Sequence, residues 1–315
     1  MPELLRIGSA TDEMMARMEE HFTIHVLSEL TDPEAWLAAN GSRIEYIATN
    51  GHDGVKPAYF EAMPNLKMIS CYGVGYDAID TNLANSRNVM VTHTPNVLNE
   101  EVASTALLLM LACYRELLRD DAYVRAGRWA AEGNAPLTRS LDSQKVGILG
   151  LGRIGQAIAR KLEPFNAEIV YHSRSRKPVD YTYYDNLTAM ALDVDVLVCI
   201  TPGGAATNKL VNAEVLAALG PTGTLINVSR GSVVDEEALI TALQTGQLGW
   251  AGLDVFVDEP NVPSALCDMP NVVLLPHVGS ATHETRAAMG KLTVDNLLQF
   301  LRDGSVISPV PECAG

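Results

Sequence analysis

Short apolar runs alternate along most of this chain with stretches whose apolar side chains recur every three or four positions. The runs at residues 4–7, 44–49, 68–71, 146–149, 169–171, 196–200, 224–228, 252–255 and 272–274 are mostly apolar and show no regular polar alternation. That marks strands covered on both faces, because a half-exposed strand alternates apolar and polar positions. Strands that alternate with helices assemble into parallel sheets with helices on both sides. The pattern therefore predicts an α/β protein of two doubly wound parallel-sheet domains, separated by a long helical segment from Asn99 to about Gly127. Asn99-Glu100-Glu101 supplies an N-cap and two carboxylates for the first turn of that segment. Pro95, in His93-Thr94-Pro95-Asn96, marks the crossing between lobes. The last helical pattern, residues 285–301, follows the second set of strands and stops at Gly304, so it is expected to return to the first domain. The expected division is residues 1–97 with 285–315 against residues 98–284.

Length and composition agree with this plan. At 315 residues the chain exceeds the roughly 100–200 residues of one domain. With 47% hydrophobic and 19% charged residues it reads as ordered and globular. The net charge of −15 removes nucleic acid from the expected partners, since phosphate backbones need a basic field. A small anion stays open, because a few arginines can hold one locally whatever the total charge. Residues 1–10 show no basic leader followed by an apolar stretch, and the uncharged run 102–114 falls short of the about 20 residues that cross a bilayer. Five scattered cysteines without metal-ligand spacing point to reduced thiols. The expectation is a soluble cytoplasmic protein with no membrane partner and no metal.

Chemistry enters at Gly150-Leu151-Gly152-Arg153-Ile154-Gly155, which lies between a predicted strand and a predicted helix. In that context Gly150 permits a tight turn, Gly152 lets a pyrophosphate approach the backbone, and Gly155 lets helix and strand pack closely. The helix N-terminus offers free N–H groups to the anion, with Arg153 beside them. This predicts that the larger domain is a Rossmann dinucleotide-binding domain. About 20 residues after the first glycine an NAD-specific site would present Asp or Glu to the ribose diol. Here the chain reads His172-Ser173-Arg174-Ser175. Ser173 and Ser175 can donate hydrogen bonds to a 2′-phosphate and Arg174 can form a charge-assisted pair with it, so NADP(H) is preferred and NAD(H) remains open.

Three later segments each place ionisable residues at a predicted strand end: Asn227-Val228-Ser229-Arg230-Gly231, Asp254-Val255-Phe256-Val257-Asp258-Glu259-Pro260, and Pro276-His277-Val278-Gly279-Ser280. Open α/β sheets bind ligands at such ends. Reduction of a keto acid needs a cation to hold the carboxylate and polarise the carbonyl, and an acid to deliver a proton as hydride arrives. Arg230 suits the first task through its planar fork. His277 suits the second, with Glu259 as the group that would fix its tautomer. Taken singly, each of these residues is more often structural; their joint occurrence after a dinucleotide turn favours catalysis.

These four ordered motifs, spanning nearly the whole chain, closely resemble the D-isomer-specific 2-hydroxyacid dehydrogenases. The resemblance is nearest to the glyoxylate/hydroxypyruvate reductase and hydroxyphenylpyruvate reductase branch, which carries a Ser-Arg-Ser turn and typically prefers NADPH. It implies Arg230, Glu259 and His277 as catalytic residues. Ile200, Thr201, Pro202, Val228, Ser229, Asp254 and Gly279 become further cofactor neighbours, although Ile200-Thr201-Pro202-Gly203-Gly204 departs from the commoner family pattern. It also implies that residues 1–97 with 285–315 bind substrate, through the backbone N–H groups of Val74 and Gly75, with Gly51 as a second wall. A homodimer built on the helix from Asn99 follows by the same resemblance, with residues 102–114 as its buried face; Trp129 either reaches the partner's active site or is an ordinary packed tryptophan. The implied reaction is reduction of a small 2-oxo acid to its D-2-hydroxy acid. The alternatives are a phosphoglycerate or formate type of dehydrogenase, for which the length and Glu259 respectively fit poorly, and a dinucleotide-binding corepressor or scaffold, since a fold does not fix a function.

Overall fold

The computed structural model describes residues 1–313; the last two positions of the expected first domain, 314 and 315, lie outside the described residues. The chain divides into two units, one formed by Met1–Leu98 with the segment from Thr282 onward and the other by Asn99–Ala281.

The first unit is a five-stranded parallel sheet of β1 (Glu3–Arg6), β2 (Thr23–Val26), β3 (Ile44–Asn50), β4 (Met68–Tyr72) and β5 (Met90–Thr92), in the order β2-β1-β3-β4-β5. Its helices are α1 (Asp12–Glu19), α2 (Pro33–Asn40), α3 (Pro57–Ala62) and α4 (Thr81–Ser86). The strand order reverses direction between β1 and β3, which opens a crevice at their C-terminal ends. Every residue of the interior strand β4 is buried, Ser70 included, as expected of a strand covered on both faces.

The second unit carries α5 (Asn99–Tyr114), α6 (Leu117–Arg125), α7 (Arg128–Glu132), α8 (Arg153–Leu162), α9 (Leu187–Asp193), α10 (Ala213–Leu219), α11 (Glu236–Gln244) and α12 (Ser264–Cys267). Its strands are β6 (Lys145–Leu149), β7 (Glu168–His172), β8 (Thr182–Tyr184), β9 (Val196–Cys199), β10 (Thr224–Asn227), β11 (Trp250–Leu253) and β12 (Val272–Leu274). They form one parallel sheet in the order β12-β11-β10-β9-β6-β7-β8. The chain runs outward from β6 to β8, then returns to β9 and continues the other way. This is the Rossmann order with a seventh strand, and its switch point lies between β6 and β9.

The final helix, α13 (His283–Asp303), returns to the first unit as expected. Thr282 caps its start by accepting from Thr285 N, and Gly304 in the left-handed region (φ +79°) ends it. Polar bonds fix it to the sheet: Ser70 Oγ donates to Thr293 O at 2.9 Å and Tyr72 Oη to Arg286 O at 3.3 Å. The fully buried Asn296 accepts from the backbone N–H groups of Ile307 (2.9 Å) and Ser308 (3.0 Å) and donates to Ser308 Oγ (2.8 Å), which seats the chain after the helix.

The structure departs from the sequence pattern in four places. Strands β2, β5 and β8 carried no continuous apolar signal; all three stand at sheet edges, where β2 and β8 are only partly covered. The strand expected at residues 252–255 begins two residues earlier, because β11 pairs Trp250 with Thr224 and Leu253 with Asn227. The long helical segment from Asn99 breaks after Tyr114, where Glu116 adopts φ +44° with no glycine or proline to announce it. Asn99 is the first residue of α5 and not its cap, and its Oδ1 is buried without a hydrogen-bond partner among the described residues. Within residues 102–114, Val102, Ala103, Ala106, Leu109, Met110 and Cys113 are buried in the single chain, whereas Leu108 is 50% exposed. No helix among the described residues is long and apolar enough to cross a membrane.

Candidate active site

The glycine turn sits at the switch point. Gly150 follows β6 with φ +106°, and a Cβ there would stand 2.8 Å from Ile200 O, so no other residue fits without displacing backbone. Gly155, in the first turn of α8, approaches so closely that a Cβ would lie 2.2 Å from Gly150 O. Gly152 is the N-cap of α8 without a side-chain cap, and a Cβ on it would meet nothing within 4 Å. The turn thus presents the N-terminal N–H groups of α8, including that of Ile154, to open space, which is what an incoming pyrophosphate needs. The Arg153 guanidinium is exposed and makes no ion pair among the described residues. Across the switch point Ile200 N donates to Leu149 O at 2.9 Å, and the following Thr201 has a buried hydroxyl with no partner among the described residues. A buried orphan hydroxyl is costly and fits a ligand that would accept from it. Pro202 is exposed beside it and its carbonyl accepts from Thr207 Oγ1 at 2.8 Å.

Beyond β7, Ser173 Oγ donates to Ser175 O at 2.7 Å, which shapes the turn, while Arg174 is exposed with its guanidinium in no ion pair among the described residues. The turn leaves a cation free where the ribose edge of a dinucleotide falls in this fold.

The ends of β10, β11 and β12 are adjacent in the sheet, and there the other candidates collect. Asn227, which stands in the motif without an assigned role, organises the first loop: its Oδ1 accepts from Ser229 N (3.1 Å) and Ser229 Oγ (2.7 Å), and its Nδ2 donates to Arg230 O (3.0 Å). This is the local side-chain to backbone bonding that asparagine favours, so the residue type was a usable signal. Val228 N donates to Cys199 O at 3.3 Å and Arg230 Nη1 to Ser229 O at 2.8 Å.

Asp254, expected as a cofactor contact, is 2% exposed with both oxygens engaged by the chain itself. Oδ1 accepts from Val278 N at 2.7 Å and Oδ2 from Gly279 N at 2.8 Å. Its backbone takes part as well, donating to Asn227 O (2.9 Å) and accepting from His277 N (2.8 Å). Burial raises the Asp254 pKa, against the opposing pull of the two amides and of His277. A Cβ at Gly279 would stand 2.9 Å from Asp254 Oδ2, so the glycine gives the carboxylate room.

That clamp presents His277, which holds φ +54°, a conformation rare for a residue with a Cβ. His277 Nδ1 lies 2.7 Å from Glu259 Oε2, and Glu259 Oε1 accepts from Phe256 N at 3.0 Å. An ionised carboxylate only accepts, so Nδ1 carries the proton and Nε2 is left for other chemistry. The His277 side chain is 41% exposed and that of Glu259 18%: the ring reaches outward while its partner is held inside.

In the first unit Val74 and Gly75 follow β4 and are half-buried. Gly51, after β3, lies beside them, with its N 3.5 Å from where a Cβ on Gly73 would be. Asn50 Oδ1 accepts from His52 N and Asp53 N at 2.9 and 2.8 Å and fixes that neighbouring turn.

Residues 107–279 match the family model described as the D-isomer specific 2-hydroxyacid dehydrogenase, NAD binding domain. The chain belongs to the D-isomer-specific 2-hydroxyacid dehydrogenase family. It is 41% identical to a 2-ketogluconate reductase of Gluconobacter oxydans over 98% of both chains. It is 44% identical to a hydroxyphenylpyruvate reductase of Plectranthus scutellarioides, covering 87% of this chain and 88% of that one. A solved NADPH-dependent glyoxylate/hydroxypyruvate reductase from Sinorhizobium meliloti, in complex with NADP and malonate, superposes with a TM-score of 0.94 at 47% identity, covering 99% of this chain and 97% of that one. This dehydrogenase is therefore an oxidoreductase that uses NAD(P).

Asp254 acts on the dehydrogenase through the loop it closes. Asp254→Asn would set an amide group against one of the two N–H donors, at a cost of about 1–3 kcal/mol. Turnover is expected to fall at least about tenfold in a protein that keeps its circular dichroism spectrum. Unchanged turnover would mean that the His277 loop holds its shape without the carboxylate.

Proposed function

We propose that this dehydrogenase reduces a small 2-oxo acid to its D-2-hydroxy acid with NADPH. The observation that carries the reading is the 2.7 Å pair of His277 Nδ1 and Glu259 Oε2, with the second carboxylate oxygen tied to Phe256 N. It leaves the protonated imidazole one N–H, at Nε2, to give away.

The residues divide the work as follows. The α8 N-terminus, with Gly150, Gly152, Ile154, Gly155 and Arg153, takes the pyrophosphate, and Thr201 offers its orphan hydroxyl to the same ligand. The hydride for the carbonyl carbon would come from the nicotinamide when it is bound. Val74 and Gly75 donate their N–H groups to the substrate carboxylate, and Arg230 binds the carboxylate and draws charge onto the carbonyl oxygen. As the C–O π pair moves to that oxygen, His277 Nε2 gives it a proton, and Nδ1–H stays on Glu259. Asp254, the cofactor neighbour implied by the resemblance, also positions His277 through the loop it closes. The D configuration is supported by family membership.

The relatives' names cover glyoxylate, hydroxypyruvate, hydroxyphenylpyruvate and 2-ketogluconate, and what these share is a 2-oxo carboxylate. The preference for the phosphorylated cofactor is supported by the exposed Arg174 between Ser173 and Ser175, and by the NADPH dependence named for the Sinorhizobium relative.

With glyoxylate, hydroxypyruvate and aryl pyruvates, NADPH oxidation is expected with at least one; turnover with none of them overturns the reading. Arg174→Ala should raise the KM for NADPH about tenfold or more, the worth of a charge-assisted hydrogen bond, and leave that for NADH nearly unchanged. Equal losses with both cofactors would show that Arg174 does not meet a 2′-phosphate.

A homodimer belongs to the same proposal, on the helix from Asn99 and the segments that follow it. Leu117, Leu118 and Val124 of α6 are exposed, as are Trp129 of α7 (59%) and Leu137 (98%). So much apolar surface on neighbouring segments suits burial against a second copy. Sedimentation velocity should return twice the 33.9 kDa of one chain, and a monomer at micromolar concentration would contradict the assignment.

A further inference from the structure

The two amides proposed to hold the substrate carboxylate belong to peptide groups that are each gripped from behind. Val74 N–H shares its peptide with the carbonyl of Gly73, and that carbonyl accepts from Thr94 N at 2.8 Å. Gly75 N–H shares its peptide with the carbonyl of Val74, and that carbonyl is 2.9 Å from His93 Nδ1. A carbonyl only accepts, so His93 Nδ1 carries the proton and donates. Two successive residues after β5 thus supply one donor to each peptide, and the second donor is a side chain.

A hydrogen bond into a peptide carbonyl strengthens the N–H of the same peptide as a donor and fixes the plane in which it points. His93 is itself held firmly. Its N–H donates to Ser308 O at 3.2 Å and its carbonyl accepts from Ser308 Oγ at 2.7 Å. Ser308 is in turn bonded to the buried Asn296 of α13. The Tyr76 ring meets the imidazole edge-on, with centroids 5.2 Å apart and planes at 88°. His93 is 8% exposed, so its bond to Val74 is largely shielded from competing water.

We infer that His93 is a positioning residue of this dehydrogenase: its Nδ1–H orients and polarises the Val74–Gly75 peptide that receives the substrate carboxylate. The inference rests on the oxo-acid reading above. It assigns a function to the histidine of His93-Thr94-Pro95, a motif otherwise explained only as a crossing between units. The grip acts on substrate binding and leaves cofactor binding alone, because every contact in it lies within the first unit.

The test compares His93→Leu, which removes the donor, with His93→Asn, whose Nδ2 stands where the imidazole Nδ1 does. In His93→Leu the KM for glyoxylate should rise about tenfold, the worth of one hydrogen bond, with kcat and the Kd for NADPH little changed. His93→Asn should restore most of the loss, which a purely space-filling role would not produce. If His93→Leu fails to fold, the smaller His93→Ala carries the same expectation. An active wild type whose KM is unmoved by His93→Leu or His93→Ala overturns the role of His93, as does an equal rise in the leucine and asparagine variants. A wild type that reduces no 2-oxo acid instead overturns the functional reading on which the role rests.

Discussion

The chemistry of the second unit depends on a buried carboxylate that closes a loop. Asp254 binds the amides of Val278 and Gly279, and its backbone links β10 on one side to His277 on the other. Without that closure nothing would hold His277 at φ +54°, since the left-handed region costs a residue with a Cβ of order 1–3 kcal/mol. The strained backbone lifts the imidazole outward, and Glu259 then sets its rotation through Nδ1. Two carboxylates therefore share one histidine, one holding the main chain and the other the ring.

Topology explains why these groups meet at all. Parallel strands bring every βα loop to one edge of the sheet, and β10, β11 and β12 are neighbours there although their loops are distant in sequence. Reversal of strand order between β6 and β9 opens the space that the glycine turn faces. Gly150 and Gly155 are required by backbone atoms that come within 3 Å of where a Cβ would be, whereas Gly152 borders open space. The first unit repeats the scheme at β1 and β3, and its cradle is stiffened by bonds from the chain that follows β5.

Much of this was legible in the residues because buried parallel strands announce themselves. The runs at 68–71, 196–200 and 224–228 have no exposed face, so no regular polar alternation runs through them. Two edge strands lack that signature, since Thr23–Val26 and Thr182–Tyr184 are half-covered and read as loop, whereas the edge strand β12 keeps its apolar run. The break at Glu116 was silent, because a helix can end without glycine or proline when other contacts hold the chain. In the site, residue type and order pointed to Arg230, Glu259 and His277, while the inward bonding of Asp254 was hidden. Sequence gives the type of a buried carboxylate, and only the fold shows which amides face it. The same holds for His93, whose partner carbonyl lies 19 positions away.

The central claim is that Glu259 sets His277 as the proton donor, and the single-turnover rate of NADPH oxidation in Glu259→Gln tests it most directly. With saturating NADPH and glyoxylate, the chemical step should slow by about 10²-fold while NADPH binding is retained, because an amide has one acceptor oxygen for the two donors His277 Nδ1 and Phe256 N and no charge to support the imidazolium. A rate equal to wild type would contradict the account, since the proton would then reach the substrate without the pair formed by His277 and Glu259.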